Sequence, residues 1–370
     1  MKPIYLRSLC LRYNCLSRSC LKIGTCLILL LTIYNTIEAQ NNSISCACDE
    51  QKNLSPAGIM TGHQHMAHMW MFSYSFMSSI WNGNLSGSSK VNDTYIFEKY
   101  VMAPKQMQMD EHMLMGMYGL SDKLSIMLML NYQVMNMIMN MLTSSMQMAG
   151  TMNMSTTSTE MQTKSHGFGD TKIYASYNLL SGKSRSVVLD VGMSIPTGST
   201  TKTEQYNEMI YGQRLSYMMQ LGSGTFDLLP GITYNYHKQN FSWSAQLSSI
   251  LHPYYNHAGY KLGNELTLNT WAAYQWTHWF SSSFRISANS AGKIQGSDTQ
   301  IYESVEPAAA HSNYGGKTVT ALVGINYFFK DDLLQNSKIA AELGIPLYQY
   351  LNGIQLASKY SLYITWLMNF

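Results

Sequence analysis

Met113-Leu-Met-Gly-Met-Tyr-Gly-Leu-Ser-Asp-Lys-Leu-Ser-Ile-Met-Leu-Met-Leu130 contains two alternating runs separated by a turn. Leu114 and Tyr118 alternate with Met113, Met115 and Met117; beyond Ser121-Asp122-Lys123, Leu124, Ile126, Leu128 and Leu130 alternate with Met127 and Met129. Period two is the signature of strands with two different faces. Here both faces are apolar, one hydrocarbon and one thioether, so neither reads as the usual wet side of a soluble sheet.

The pattern extends to both ends of the chain. Trp70, Phe72, Tyr74, Phe76 and Ile80 alternate with Met69, Met71, Ser73, Ser75 and Met77; at the other end Tyr360, Leu362, Ile364, Trp366, Met368 and Phe370 alternate with Ser361, Tyr363, Thr365 and Asn369. Further strands are predicted near 111–119, 123–134, 170–180, 186–196, 226–237, 240–251, 262–276, 279–289, 317–329 and 337–347, about twelve in all. The connections alternate between short (121–123, 181–185, 237–239, 277–278, 330–336) and long (82–110, 135–169, 197–225, 252–261, 290–316, 348–356). That sorting suits an antiparallel transmembrane β-barrel and not a soluble β-sandwich. A terminal Phe370 on an alternating strand is similar to the C-terminal assembly signal of outer-membrane proteins, which makes the outer-membrane assembly machinery and the lipid bilayer expected partners.

Composition agrees. Of 370 residues 46% are hydrophobic and only 12% charged, with mean hydropathy −0.13; an ordinary soluble domain carries roughly 25% charge. Disorder and a basic nucleic-acid surface are both excluded, since Lys+Arg is 24 against Asp+Glu 21. Lys2, Arg7, Arg12, Arg18 and Lys22 precede an apolar run, Cys26–Tyr34, too short to span a bilayer. Residues 1–39 therefore read as a secretory signal cleaved near Ala39, with a short anchor as the alternative. Without it the basic count is 24 − 5 = 19 and the acidic 21 − 1 = 20, a net charge near −1. The expected organisation is a signal at 1–39, an irregular periplasmic Cys/His/Met-rich segment at 40–68 and an outer-membrane barrel at 69–370.

Gly167-Phe-Gly-Asp170, Ser194-Ile-Pro-Thr-Gly198, Gln220-Leu-Gly-Ser-Gly-Thr-Phe-Asp-Leu-Leu-Pro-Gly231 and Met102-Ala-Pro104 with Met107 and Met109 add a family likeness. Over 56–370 the chain resembles the outer-membrane transporters named after the meta-pathway of phenol degradation, in a Met/His-rich branch. The resemblance implies a barrel transporter, and its name implies uptake of aromatic compounds. Its motifs sit at strand ends and turns, and speak for the fold before any substrate.

The methionines need their own account. Of 28, 22 lie between Met60 and Met161. With Leu and aromatic positions facing lipid, parity turns Met69, Met71, Met77, Met113, Met115, Met117, Met127 and Met129 inward, followed by Met135, Met137, Met139 and Met141. Thioethers are soft neutral donors suited to Cu(I) or Ag(I), and repeated weak sites are what conduction requires. Met60, His63, His65, Met66, His68 and Met69 cluster ahead of the first strand and read as an entrance set. The competing reading is adaptable apolar filler or lining. Cys46-Ala-Cys48 is a candidate metal pair; in an oxidising compartment a disulfide, within or between chains, is the other reading. The second long connection, with Met152 and Met154 in a Met/Ser/Thr stretch, reads as an external cover.

Asp227, Glu265 and Arg285 fall in the lumen by parity and read as selectivity groups. No nucleophile turn, triad or phosphate loop is present, so no enzyme is expected. Three functions follow: a channel for soft metal ions with a periplasmic metal carrier as partner, a channel for small apolar or aromatic molecules, or a non-transporting surface barrel, adhesin or hydrolase.

Overall fold

The computed structural model describes residues 53–62, 66–145, 155–203, 214–330, 334 and 336–370. It is an all-β transmembrane barrel. Its strands are β1 (Trp70–Gly87), β2 (Ser89–Val91), β3 (Met102–Ser121), β4 (Leu124–Ser145), β5 (Ser155–Phe168), β6 (Thr171–Ser181), β7 (Arg185–Ile195), β8 (Asp227–Lys238), β9 (Phe241–Ile250), β10 (Tyr260–Lys261), β11 (Glu265–Thr277), β12 (Phe280–Ala291), β13 (Gln295–Gly296), β14 (Gly316–Phe328) and β15 (Ser337–Asn369). Neighbouring wall strands are antiparallel, and β15 pairs with β1 to close the sheet.

β15 is continuous in hydrogen bonding but reverses direction. Its first half pairs antiparallel with β14 (Phe328↔Lys338 to Gly316↔Leu351), its second antiparallel with β1 (Gly87↔Leu351 to Met71↔Asn369). Along a closed alternating sheet those halves run oppositely, and Gln349 and Ser358 bond across the hairpin. Gly353, at φ 79°, takes the left-handed conformation the turn needs. Ten wall strands, β1, β3, β4, β6, β7, β8, β9, β11, β12 and β14, plus these two arms make the barrel twelve-stranded. The expected long connection at 348–356 is therefore a tight turn.

The outer face carries exposed Trp70, Phe72, Leu114, Ile126, Leu128, Val323 and Ile345, whereas their sequence neighbours Met71, Met115, Met127, Met129 and Leu322 are buried. An apolar exterior of this extent belongs against lipid. Among the described residues no helix is long and apolar enough to cross a membrane. Short turns lie at the end holding Trp70 and Phe370, whose backbone groups bond to each other (Phe370 N to Trp70 O, 2.8 Å).

Two expected loops are largely strand. β1 continues to Gly87, β3 begins at Met102, and a short helix, Asp93–Phe97, lies between. In the long connection 135–169, whose part 147–164 reads as a cover, the described residues 135–145 and 155–168 are strand: β5 pairs with 132–145 of β4 while β6 pairs with 124–129, and Met152 and Met154 lie outside the described residues. Strand alternation persists there because Met135, Met137 and Met139 keep one buried face. Above the girdle the outer positions turn polar, with Gln108, Asp110 and His112 on β3 and Asn136 on β4, so these strands outreach the apolar band.

Of the irregular N-terminal segment, residues 53–62 run inside the barrel. Leu54 is buried against Ala273 and Phe328, and Gly62 lies against Thr233.

Candidate functional site: a thioether wall and a hydrogen-bonded wall

The inner face of β3 and β4 is a methionine ladder, joined by Met71 of β1, whose next inward positions are Ser73 and Ser75. Met71 faces Met117 across β1 and β3; Met117 faces Met127, Met115 faces Met129, Met109 faces Met135, Met107 faces Met137 and Met102 faces Met141 across β3 and β4; Met139 faces Met161 on β5. Directly opposed residues have Cβ atoms about 4.5–5.5 Å apart. One polar interval breaks the ladder, where Met113 faces Asn131 and Glu111 faces Gln133; Asn131 Nδ2 donates to Glu111 Oε1 at 2.8 Å.

The interval separates two clusters. The lower one, level with the apolar girdle, joins Met71, Met113, Met115, Met117, Met127, Met129 and Leu367, with Met60, Met77 and Tyr174 against it. The upper one joins Met102, Met107, Met135, Met137, Met139 and Met161 to Leu215, Met219 and Leu221 of the connection between β7 and β8. That connection is pinned inward. Asp170 accepts from Gly198 N (2.9 Å), Ser223 N (2.8 Å) and Ser223 Oγ (2.9 Å). A Cβ on Gly198 would fall 2.8 Å from Gly222 Cα, so both must be glycine. Three of the family-like motifs thus converge on one latch. Beside it, Tyr314 accepts from Met218 N and donates to Ala308 O; burial pushes its hydroxyl well above the ordinary value, so it remains a donor.

The opposite wall is polar. Arg285 makes a paired contact with Glu342 (Nε–Oε1 2.9 Å, Nη2–Oε2 2.8 Å) and reaches Asn269. This wall grips the 53–62 strap mainly through the strap's backbone. Lys338 Nζ donates to the carbonyls of Asn53 and Ser55 (2.9 and 3.0 Å), Asn326 Nδ2 to Leu54, Thr365 Oγ1 to Ala57 and Asn235 Nδ2 to Gly62, while Gly58 N donates to Glu342. Met60 faces away from that grip, onto the lower thioethers.

Cavities lie beside both clusters among the described residues. The lower, between strap and ladder, is lined by Ile59, Met60, Met71, Met115, Lys338 and Leu367 among others; the upper by Met102, Met137, Met139, Leu215, Ile301 and Val305 with Arg214 and Ser216. Arg214 is ion-paired with Asp298.

Of the candidate metal residues, Met60, Met71, Met113, Met115, Met117, Met127 and Met129 come together in the lower cluster. Met69 is half-buried just before β1 and outside that cluster. Met66 and His68 are exposed at the terminal end, and His68 Nδ1 lies 3.0 Å from Tyr118 Oη, so they do not adjoin the ladder. Cys46, Cys48, His63 and His65 lie outside the described residues. Among the described residues no group of three His, Cys, Asp or Glu is placed to hold a metal ion. Asp227 and Arg285 are buried inside and Glu265 half-buried, as parity indicated. Lys338, which the sequence reading passed over, was available to the same parity argument, standing two and four residues from inward Ala340 and Glu342.

No protein-family profile and no curated protein matches the chain. Among solved structures it is similar to an outer-membrane channel from Pseudomonas putida F1, at 13% identity over 86% of this chain and 100% of that one, with TM-score 0.53. More distant are the toluene transporter TbuX of Ralstonia pickettii (10% identity, 83% of this chain, 90% of that one, TM-score 0.40) and a FadL homologue of Pseudomonas aeruginosa (9%, 82%, 89%, 0.38). The first likeness shows the fold, an outer-membrane-type barrel.

Proposed function

We propose that the protein is an outer-membrane channel that passes soft metal ions, Cu(I) or Ag(I), along its methionine ladder. The carrying observation is a contrast within two strands. On their outer face β3 and β4 meet the need for apolar surface with Leu114, Ile126, Leu128 and Leu130; on their inner face they use Met at Met115, Met117, Met127 and Met129. If apolarity alone were required, the inner face had the same choices. Sulfur is what distinguishes the two, and soft cations are what sulfur distinguishes. A periplasmic carrier of the same soft chemistry would exchange ions with the terminal end.

A second reading, passage of small apolar or aromatic molecules, is favoured by the packing of thioethers against Leu215, Leu221 and Leu367. Flexible thioethers adapt to apolar solutes and contact rings well. The name of the family that the chain resembles points the same way.

Reconstitution separates the two. Liposomes carrying the barrel are expected to admit Ag(I), reported by an internal quenched dye, and replacing Met115, Met117, Met127 and Met129 with Leu should cut that rate at least tenfold in a barrel that still migrates heat-modifiably. Equal and negligible Ag(I) entry for parent and variant would leave the apolar channel standing. In cells, loss of the gene should change tolerance to copper and silver without changing growth on aromatic compounds.

A further inference from the structure

The strap meets the two walls by different chemistry. Its backbone carbonyls are held by donors of the polar wall, while Met60 adds a thioether opposite the ladder. We propose that Met60, Met71 and Met115 form a site for a soft monovalent cation between strap and wall. The site rests on the soft-metal reading and gives that path one defined station.

Three separate chain segments supply the donors: the strap, β1 and β3. All three side chains line the same cavity. Met71 and Met115 are buried, at 0% and 5% exposure, and Met117 stands directly opposite Met71 on the next strand. Ile59, Ala57, Ala340 and Leu367 close the space with apolar surface. Ser73 Oγ also borders it, buried and without a hydrogen-bond partner. A neutral soft donor set with one spare hydroxyl suits Cu(I) or Ag(I) and does not suit a hard, hydrated cation.

One neighbour opposes a cation. Lys338 lines the cavity, with its Nζ donating to the carbonyls of Asn53 and Ser55. When protonated, this group repels a cation held in the same partly dry cavity and so weakens the site relative to an isolated thioether triad. Weak, releasable binding is what a conducted ion needs.

The test titrates the purified full-length barrel in detergent with silver nitrate in chloride-free buffer, reading bound Ag(I) by native mass spectrometry and affinity by competition with a soluble thioether. Met60→Leu and Met71→Leu should each lose one bound ion or weaken that site at least tenfold. Lys338→Gln, which keeps a donor for the strap but removes the charge, should tighten the same site. Met193→Leu, on the exposed outer face, should match the parent. Heat-modifiable migration confirms that each variant is folded. If the parent binds Ag(I) and neither Met60→Leu nor Met71→Leu alters it, the site is overturned while the soft-metal reading survives. If the parent binds no Ag(I), both fall. A looser site in Lys338→Gln also overturns it, because the ion would then not lie beside that ammonium.

Discussion

The barrel's two inner walls answer one problem, filling a lumen, with opposite chemistry. Along β3 and β4, with Met71 of β1, the interior is mostly thioether set against thioether, broken by the one polar interval at Glu111 and Asn131. Along the arms of β15 and across β8 to β14 it is a hydrogen-bonded mosaic, in which Arg285, Glu342, Asn326, Lys338 and Thr365 each have a named partner. A hydrogen-bonded wall has one good arrangement. A methionine wall has many of similar energy, because each side chain has three rotatable bonds and a polarizable sulfur. One wall fixes the strap; under the proposed function the other yields to what passes, which would place stability and transport on different residues.

The largest expected effect tests the rigid side. Glu342→Ala leaves Arg285 buried without its carboxylate and Gly58 N without its acceptor. Breaking one partner of such a pair costs about 3–5 kcal/mol, which should appear as a lower midpoint for loss of heat-modifiable migration in urea. A parent-like midpoint would remove the distinction between the walls.

Next comes the latch. Asp170→Ala removes the acceptor for Gly198 N, Ser223 N and Ser223 Oγ at once. A cost of about 1–3 kcal/mol is expected from unsatisfied buried donors. It should be accompanied by faster proteolysis between 199 and 225, as the inward connection loses its anchor. Faster cleavage elsewhere would mean Asp170 supports the barrel and not that connection.

The smallest stability effect is expected on the soft side. Met137→Leu conserves volume and apolarity in the upper cluster and should cost less than about 1.5 kcal/mol. Under the soft-metal reading it nonetheless slows Ag(I) entry. A large stability loss with unchanged Ag(I) entry would reverse the roles of sulfur and packing.

How far the site could be read beforehand differs residue by residue. The inward direction of Met71, Met115 and Met129 followed from one rule, since Leu and aromatic side chains at alternate positions had to face lipid. Lys338 was accessible by the same rule. The exposed positions of Met66 and His68 were not accessible, because a cluster of ligand-type residues ahead of a strand carries no direction of its own.

What the sequence alone determined is an antiparallel alternating wall of about twelve strands and the short turns at one of its ends. Those features are local: period-two alternation responds to the two surfaces a strand touches, and turn residues respond to their own backbone. Tertiary structure alone decided the rest. It folded 337–369 into a hairpin around Gly353, extended β4 and β5 past the girdle, joined Asp170, Gly198 and Gly222 into a latch, and drew 53–62 through the lumen. The last of these depends on barrel closure, which sets Thr365 beside Ala57 and Glu342 beside Gly58 across most of the chain. Pairings so remote in sequence leave no periodic trace, and they exist only once the sheet has met its own edge.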